Sequence, residues 1–300
     1  MVKPALAATR AVRVLDFLAL HPGRAFSLKE ISEACSVNAA SMLAVTTALV
    51  NAGYLVRHPT HKTYTIGQGV LVPSHAALLQ NPAIGAARRE LTLLAADLEA
   101  HCSASVLTGS TMVAVATAAS PRRATTSTQV GSRVPFAAPF GTPFAAFGTD
   151  HLRATWMGGS SAPHARSLEK ALAAVREHGF GVVEERPARV ELEQVLQQLS
   201  EEPANDDARA RIVTLLGQLA DALIELDPRR HRPIEVASIN APVFSPQGVV
   251  VMVITASTFA GPLPPERIAS AGRRMRAAGH AITRSAFGAL AAGRPARRGI

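Results

Sequence analysis

Residues 27–69 constrain the fold most: SLKEISEACSVNAASMLAVTTALVNAGYLVRHPTHKTYTIGQG holds two helix starts, a turn, a glycine stop and a hairpin, in that order. Ser27 followed three residues later by Glu30 has the spacing of a capping box, in which side chain and backbone satisfy each other at a helix start. Leu28, Ile31 and Ala34 then share one helical face. Ser36-Val37 makes a short turn, and Asn38 is a second N-cap, opening a helix to about Asn51. Met42, Val45 and Leu49 recur at three- and four-residue spacing, so one side of that helix is buried. Gly53 is placed to end it. Tyr54–Arg57 and Thr63–Ile66 are β-rich runs joined by His-Pro-Thr-His-Lys, a hairpin with a basic tip. Two helices at a tight turn followed by such a hairpin form the arrangement that lays a helix in a DNA groove and a wing on the backbone.

The length, 300 residues, suggests two domains, each able to bury a core. The net charge of +9 is uneven. The first 75 residues carry Lys3, Arg10, Arg13, Arg24, Lys29, Arg57 and Lys62 against three acids, Arg267–Arg298 is also basic, and Glu184–Asp227 is acidic. Basic ends favour a polyanionic partner, although a solvated arginine-rich surface gives the same totals. Cys35 and Cys102 stand alone in sequence and define neither a disulfide framework nor a zinc site. Residues 1–20 lack a signal pattern, and Gly248–Ala256, the longest apolar run, is far short of a membrane span. The expectation is a cytoplasmic protein with no membrane partner.

Along the chain, Thr9–Leu20 reads as a first helix, with Val12, Leu15, Phe17 and Leu18 apolar and Arg10 and Arg13 outside. Pro73 reads as a break. Asn81-Pro82 opens a long helix to about Ala100 that connects the two domains. Strands are expected at 104–107, 112–116 and 125–130, a helix from Thr142-Pro143, and an amphipathic helix over Ser167–His178. There follow a strand over Phe180–Val183, an acidic helical stretch interrupted near Pro203, strands over Ile234–Phe244 and Val249–Thr255, and a closing helix from Pro264.

At this point the chain resembles the IclR family of bacterial transcription regulators. The resemblance rests on ATRAVRVLDFLALHPG, the helix-turn-helix above, VGSRVPF at 130–136, REHGFGVVEE at 176–185, NAPVFSPQGVVVMVITAS at 240–257 and PPERI at 264–268. It implies an α/β (α+β) chain: a winged helix-turn-helix domain (1–73), a linker helix (74–101) and a GAF-like α/β effector-binding domain (102–292). The basic residues 293–300 that follow read, from their composition, as a disordered tail. The resemblance also implies a homodimer or tetramer, with a small metabolite as ligand. Three stretches depart from the family pattern. Ala39–Ala44 has no basic side chain, Ala137–Thr142 is short and lacks a lysine, and residues 191–232 are longer and more acidic.

For DNA, Arg10, Arg13, Arg57 and Lys62 are the phosphate candidates, because most affinity comes from charge neutralisation. Asn38 and Ser41 suit base edges, and Leu43 and Ala44 suit thymine methyls, unless Leu43 packs on the wing or a partner chain. For the effector, the start of a helix at Gly141-Thr142 can hold a carboxylate, while Phe136, Phe140 and Phe144 supply apolar surface. Ser238, Asn240, Thr255 and Ser257 alternate along two late strands, so each pair shares a face, either a pocket floor or a solvated surface. The expected partners are a double-stranded operator, pseudo-palindromic in sequence, and a small organic acid or a conjugate of one. No catalytic residue, metal or cofactor is expected: the sequence has no nucleophile elbow, zinc spacing or phosphate loop. The alternatives are a ligand-sensing module that has lost specific DNA binding and, more remotely, an enzyme.

Overall fold

The computed structural model describes residues 5–120, 128–158, 162–201, 205–219, 222–224 and 232–288. By contact, one compact unit comprises the chain to Gln80 with Gln194–Ile212, and a second comprises Asn81–Glu193 with the chain from Val213.

The first unit opens with α1 (Leu6–Ala19), β1 (Phe26–Ser27), α2 (Leu28–Ala34) and α3 (Ala39–Asn51). β2 (Leu55–Arg57), β3 (Thr63–Ile66) and α4 (Leu71–Gln80) follow. Val14, Phe17, Leu18, Phe26, Ile31, Met42, Leu55 and Tyr64 make its core. Val14 takes the inward place on α1, whereas Val12 is 56% exposed, because 14, 17 and 18 fall on one helical stripe and 12 does not. β2 and β3 form the expected hairpin, and β1 adds to it in the order β1-β3-β2. Pro73 does not break the chain. It lies in the first turn of α4, where a helix needs no N–H from it.

The second unit is built on a seven-stranded sheet, fully antiparallel, in the order β6-β5-β4-β10-β9-β7-β8. Its strands are β4 (His101–Thr108), β5 (Thr111–Ala118), β6 (Arg133–Pro135), β7 (Gly181–Glu184), β8 (Leu223–Ile224), β9 (Val236–Phe244) and β10 (Val250–Ser257). Among its helices α5 (Pro82–Leu98) and α11 (Pro265–Phe287) cover one face, burying Leu91, Leu94, Met275 and Ile282 with Ala104, Ile239, Ala241 and Ile254. The helix expected as a connection is therefore, over α5, a wall of this core. α11 comes close because residue 279 is glycine: a Cβ there would collide with the Pro242 carbonyl oxygen. Thr283 Oγ1 accepts the Phe244 N–H at 3.1 Å in the same contact. α6 (Thr142–Phe147), α7 (Asp150–Met157) and α8 (Ala162–His178) belong to the same unit. α6 packs on β9 and β10, and α8 packs on β7. α9 (Pro187–Glu201) and α10 (Asp206–Leu219) form the acidic helical stretch, and Pro203 lies outside the described residues.

Of the strand expected at 125–130, residues 125–127 lie outside the described residues and 128–130 are not strand; the strand in this stretch is β6, which pairs with β5 through Thr111–Pro135. The basic tail at 293–300 also lies outside the described residues. Among the described residues no single helix is long and apolar enough to cross a membrane.

Candidate nucleic-acid interface and effector face

α2 starts at a complete capping box. Ser27 Oγ accepts the Glu30 N–H at 3.3 Å, and Glu30 accepts the Ser27 N–H at 2.7 Å. Those bonds, with the Arg24 guanidinium alongside, hold the Glu30 carboxyl below its usual range. The turn runs through buried Cys35, Ser36 at φ +52° and buried Val37. Asn38 Oδ1 then accepts the Ser41 N–H at 2.9 Å and starts α3. α2 and α3 are bent by 110°, within the roughly 90–120° of DNA-reading helix pairs. Thr46, fully buried, donates to the Met42 carbonyl at 2.9 Å. α3 ends in a Schellman motif: Tyr54 N–H bonds Leu49 O, Gly53 N–H bonds Val50 O, and Gly53 sits at φ +74°.

This geometry sorts the sequence candidates. Leu43 is 48% exposed, and Ala44 is also exposed, on the side of α3 opposite Met42 and Val45. Ser41 is half-buried, and Asn38 has its oxygen committed to the cap. Arg57 and Lys62 are exposed at the two sides of the hairpin tip, with Arg57 5.8 Å from the Tyr64 ring centre. Arg10 and Arg13 are half-buried rather than outside, and Arg13 lies near enough to Cys35 for its charge to favour the thiolate. Desolvation outweighs that effect and pushes the Cys35 thiol up to about 11. The sequence reading missed Thr47, Ala48 and Asn51, which extend the outward face of α3. It also missed the tip histidines. His58 Nδ1 accepts the backbone N–H groups of Thr60 and His61 at 3.3 and 3.1 Å, and the two rings lie 4.5 Å apart. The signal available was a His-x-x-His spacing inside a turn.

In the second unit the helix start at 141–142 differs from expectation. Gly141, at φ +70°, is the N-cap and Thr142 is the first helical residue. The fully buried Thr142 hydroxyl donates to the Pro139 carbonyl at 2.6 Å. Pro143 has no N–H, and the Phe144 N–H closes onto Gly141 O at 2.9 Å. This first turn therefore has little left to offer a carboxylate. Phe136 and Phe144 are buried and meet edge to face at 6.3 Å, and a Cβ at residue 141 would lie 2.9 Å from Phe136. Phe140 is half-buried, and its carbonyl accepts Trp156 Nε1 at 2.6 Å. These groups are packed as core.

The strand residues, in contrast, come together. Thr255 stands opposite Asn240 on β9 and Ser103 on β4, and Ser257 stands opposite Ser238 and His101. Asn240 in turn faces Gly181 on β7, and Ser103 faces Thr117 on β5. Because side chains alternate, a polar row crosses the sheet on one face while Cys102, Ala104, Ile254, Ala256, Ile239 and Ala241 enter the core on the other. At its Gly181 end the row lies against α8, where a Cβ at Gly181 would meet Val175 Cγ2 at 3.2 Å. Ser238, Thr255 and Ser257 are half-buried, while Asn240, Ser103 and His101 are buried. Burial lowers the His101 pKa and keeps the ring neutral. Ser103, His101, Thr117 and Gly181 were not found from the sequence, since membership in the row depends on pairing register.

A winged helix-turn-helix joined in one chain to a helix-flanked sheet has the architecture of a DNA-binding transcription regulator. More particularly, residues 7–59 match the model of the IclR helix-turn-helix domain, so this segment of the first unit is similar to that domain. Solved structures share the whole fold. An IclR transcriptional regulator from Alicyclobacillus acidocaldarius is 19% identical, with a TM-score of 0.64 over 95% of this chain and 100% of that one. Pseudomonas aeruginosa HmgR is 21% identical, with a TM-score of 0.62 over 94% and 100%. An IclR homolog from Microbacterium hydrocarbonoxydans, complexed with 4-hydroxybenzoate, is 14% identical, with a TM-score of 0.62 over 93% and 98%. Among curated proteins none matches the sequence.

Proposed function

We propose that the chain is a ligand-responsive transcription regulator of the IclR type. Two copies or more bind a pseudo-palindromic operator, and a small organic acid or its conjugate, held in the second unit, shifts that binding. The observation that carries this reading is the match of residues 7–59 to the IclR helix-turn-helix domain over a segment whose caps, turn and wing are all formed. In this reading Arg57 and Lys62 on the wing and Arg10 and Arg13 on α1 take phosphates. Ser41, Leu43, Ala44 and the amide nitrogen of Asn38 face the bases. Residues 1–73 bind DNA, 74–101 lead onward, 102–292 bind the effector, and the protein works in the cytoplasm. The 4-hydroxybenzoate of the Microbacterium hydrocarbonoxydans homolog supports an organic acid as the class of ligand. The polar row of Ser238, Asn240, Thr255 and Ser257 is the proposed floor, and its hydroxyls can donate to a carboxylate. A ligand shifts DNA affinity only if it binds one arrangement of the subunits better than the other.

Assembly draws support from α4. No residue of this helix is buried, and Leu71, Val72 and Leu79 are 62%, 76% and 70% exposed. A second copy is the occupant proposed for this face, because an operator with two half-sites requires two recognition helices related by a twofold axis.

A gel shift with DNA from upstream of the chain's own coding sequence tests the reading, with and without 4-hydroxybenzoate and related carboxylates. A retarded band that responds to one of them is the expected result. A second reading, a sensing module without specific DNA binding, rests on one observation: the exposed side of α3, from Ala39 to Asn51, carries no charged residue. Absence of any retarded band at low salt would favour it.

A further inference from the structure

The polar row contains a group whose hydrogen bonding is incomplete. Asn240 is 4% exposed, and its Oδ1 is buried without a hydrogen-bond partner. The cross-strand neighbour that makes room for it is Gly181. A Cβ at that position would lie 2.7 Å from Asn240 Oδ1, so the amide rests on bare backbone. An amide oxygen sealed from water with an unmade bond opposes folding, and a central strand favours β-branched or aromatic residues, which would avoid that cost. A fold can keep such a group where a ligand completes it. The neighbouring side chains along the row, Thr255, Ser103 and Thr117, are all uncharged, and His101 beside them is held neutral. Thr255, Ser257 and Ser238 are half-buried, which puts the row within reach of a small molecule.

We propose that Asn240 is the specificity-determining contact of the effector face: over the floor that Gly181 keeps low, its amide bonds an uncharged hydroxyl on the effector. The proposal rests on the reading of this face as the effector site. A hydroxyl both donates and accepts, so it satisfies the amide whichever way the side chain is turned, whereas an ionised carboxylate only accepts. The effector is then a hydroxylated small molecule. Where it is also an acid, its carboxylate is left to the Ser and Thr hydroxyls of the row.

Calorimetry on the full chain with two matched pairs tests this: 4-hydroxybenzoate against benzoate, and 3-hydroxybutyrate against butyrate. In the wild type the hydroxylated member of a pair should bind roughly tenfold or more tighter, the scale of one buried hydrogen bond left unmade. Asn240→Ala should reduce that preference to within about twofold, since the partner of the hydroxyl is gone. Gly181→Ala, which pushes the amide off its floor, should do the same. Thermal melting is the second readout. With no native bond lost, Asn240→Ala should melt at or above the wild-type temperature. Equal binding of both members of a pair by the wild type, a preference surviving in Asn240→Ala, or a clear fall in its melting temperature would overturn the proposal. If none of the four compounds binds the wild type, the effector reading itself falls for these ligand classes, an outcome distinct from binding without discrimination by Asn240.

Discussion

Removing the two wing charges should change the salt dependence of DNA binding more than its sequence preference. Arg57 ends β2 and Lys62 precedes β3, both exposed, with the tip between them tied by His58 N–H to Thr63 O at 2.7 Å and Lys62 N–H to His58 O at 3.1 Å. The two cations are thus carried on a formed hairpin, and each can displace one counterion from DNA. Each phosphate neutralised contributes roughly 0.9 to the slope of log affinity against log salt. Arg57→Gln with Lys62→Gln should therefore flatten the slope by about 1.8 for each domain bound, or about 3.6 for a dimer on two half-sites. Between about 50 and 200 mM salt the wild-type dimer would lose roughly 100-fold more affinity than the variant, by the same relation. Glutamine keeps the side-chain stem, so the hairpin is little disturbed. Fluorescence anisotropy across salt, on the operator and on a scrambled duplex, gives both slope and preference. An unchanged slope would take the wing off the phosphates. A loss confined to the operator would mean that these residues read bases.

Four further outcomes are expected. Ser27→Ala removes the side-chain half of the capping box, leaves the backbone N–H of residue 27 bonded to Glu30, and should cost about 1 kcal/mol, read as a lowered denaturation midpoint; an unchanged midpoint would show that the cap adds nothing. Burial pushes Cys102 up to about 12 and Cys35 up to about 11, so a thiol reagent at pH 8 should label neither in the folded protein and both after denaturation. His101 has a folded pKa lowered from 6.5 by burial, so the unfolded chain takes up its proton first. Stability should fall as pH drops below 6.5, and His101→Gln should flatten part of that fall in urea titrations, with His280, lowered mainly by burial, supplying another part. Val72→Glu with Leu79→Glu, on the apolar side chains of α4, should shift the protein to monomer in light scattering and weaken operator binding; an intact dimer would free α4 of that role.

The local chemistry of the first unit was legible because its signals are short-range. Ser27 with Glu30, Asn38 with Ser41, and Gly53 after Asn51 each make their bonds within a few residues, so spacing alone predicts them. Elements defined by distant partners were not. β1 is two residues long and exists through pairing with β3, nearly forty residues away. Pro73 was misread because the same residue ends a helix from inside and starts one from its first turn. At 141–142 the cap moved by one residue because only glycine takes φ +70° there without strain. Periodicity did place Ser238 with Asn240, and Thr255 with Ser257, on shared faces. It could not say that the two pairs stand opposite each other, or that Ser103 and Gly181 join them, because register across strands is a tertiary fact.

The sheet divides its work by face. On one side Ala104, Ile254, Ala256, Ile239 and Ala241 meet α5 and α11, and apolar burial there stabilises the unit. Residues one step along each strand point the other way, so Ser103, Thr255 and Asn240 add little to that burial. The alternation lets this second face hold hydroxyls and an unpaired amide without weakening the first. α3 shows a similar separation. Met42, Val45 and Thr46 hold it in the core, while the side turned away from them, with Leu43, Ala44 and Thr47, is uncharged. A helix face of that kind supplies shape and methyl contacts but little Coulombic attraction. In the proposed complex the binding energy then has to come from the wing cations and from the joining of two copies, while Leu43 and Ala44 discriminate between bases. Weak contacts at each half-site make the affinity depend on how the two copies are spaced, and a ligand that alters that spacing has the largest effect on such a protein.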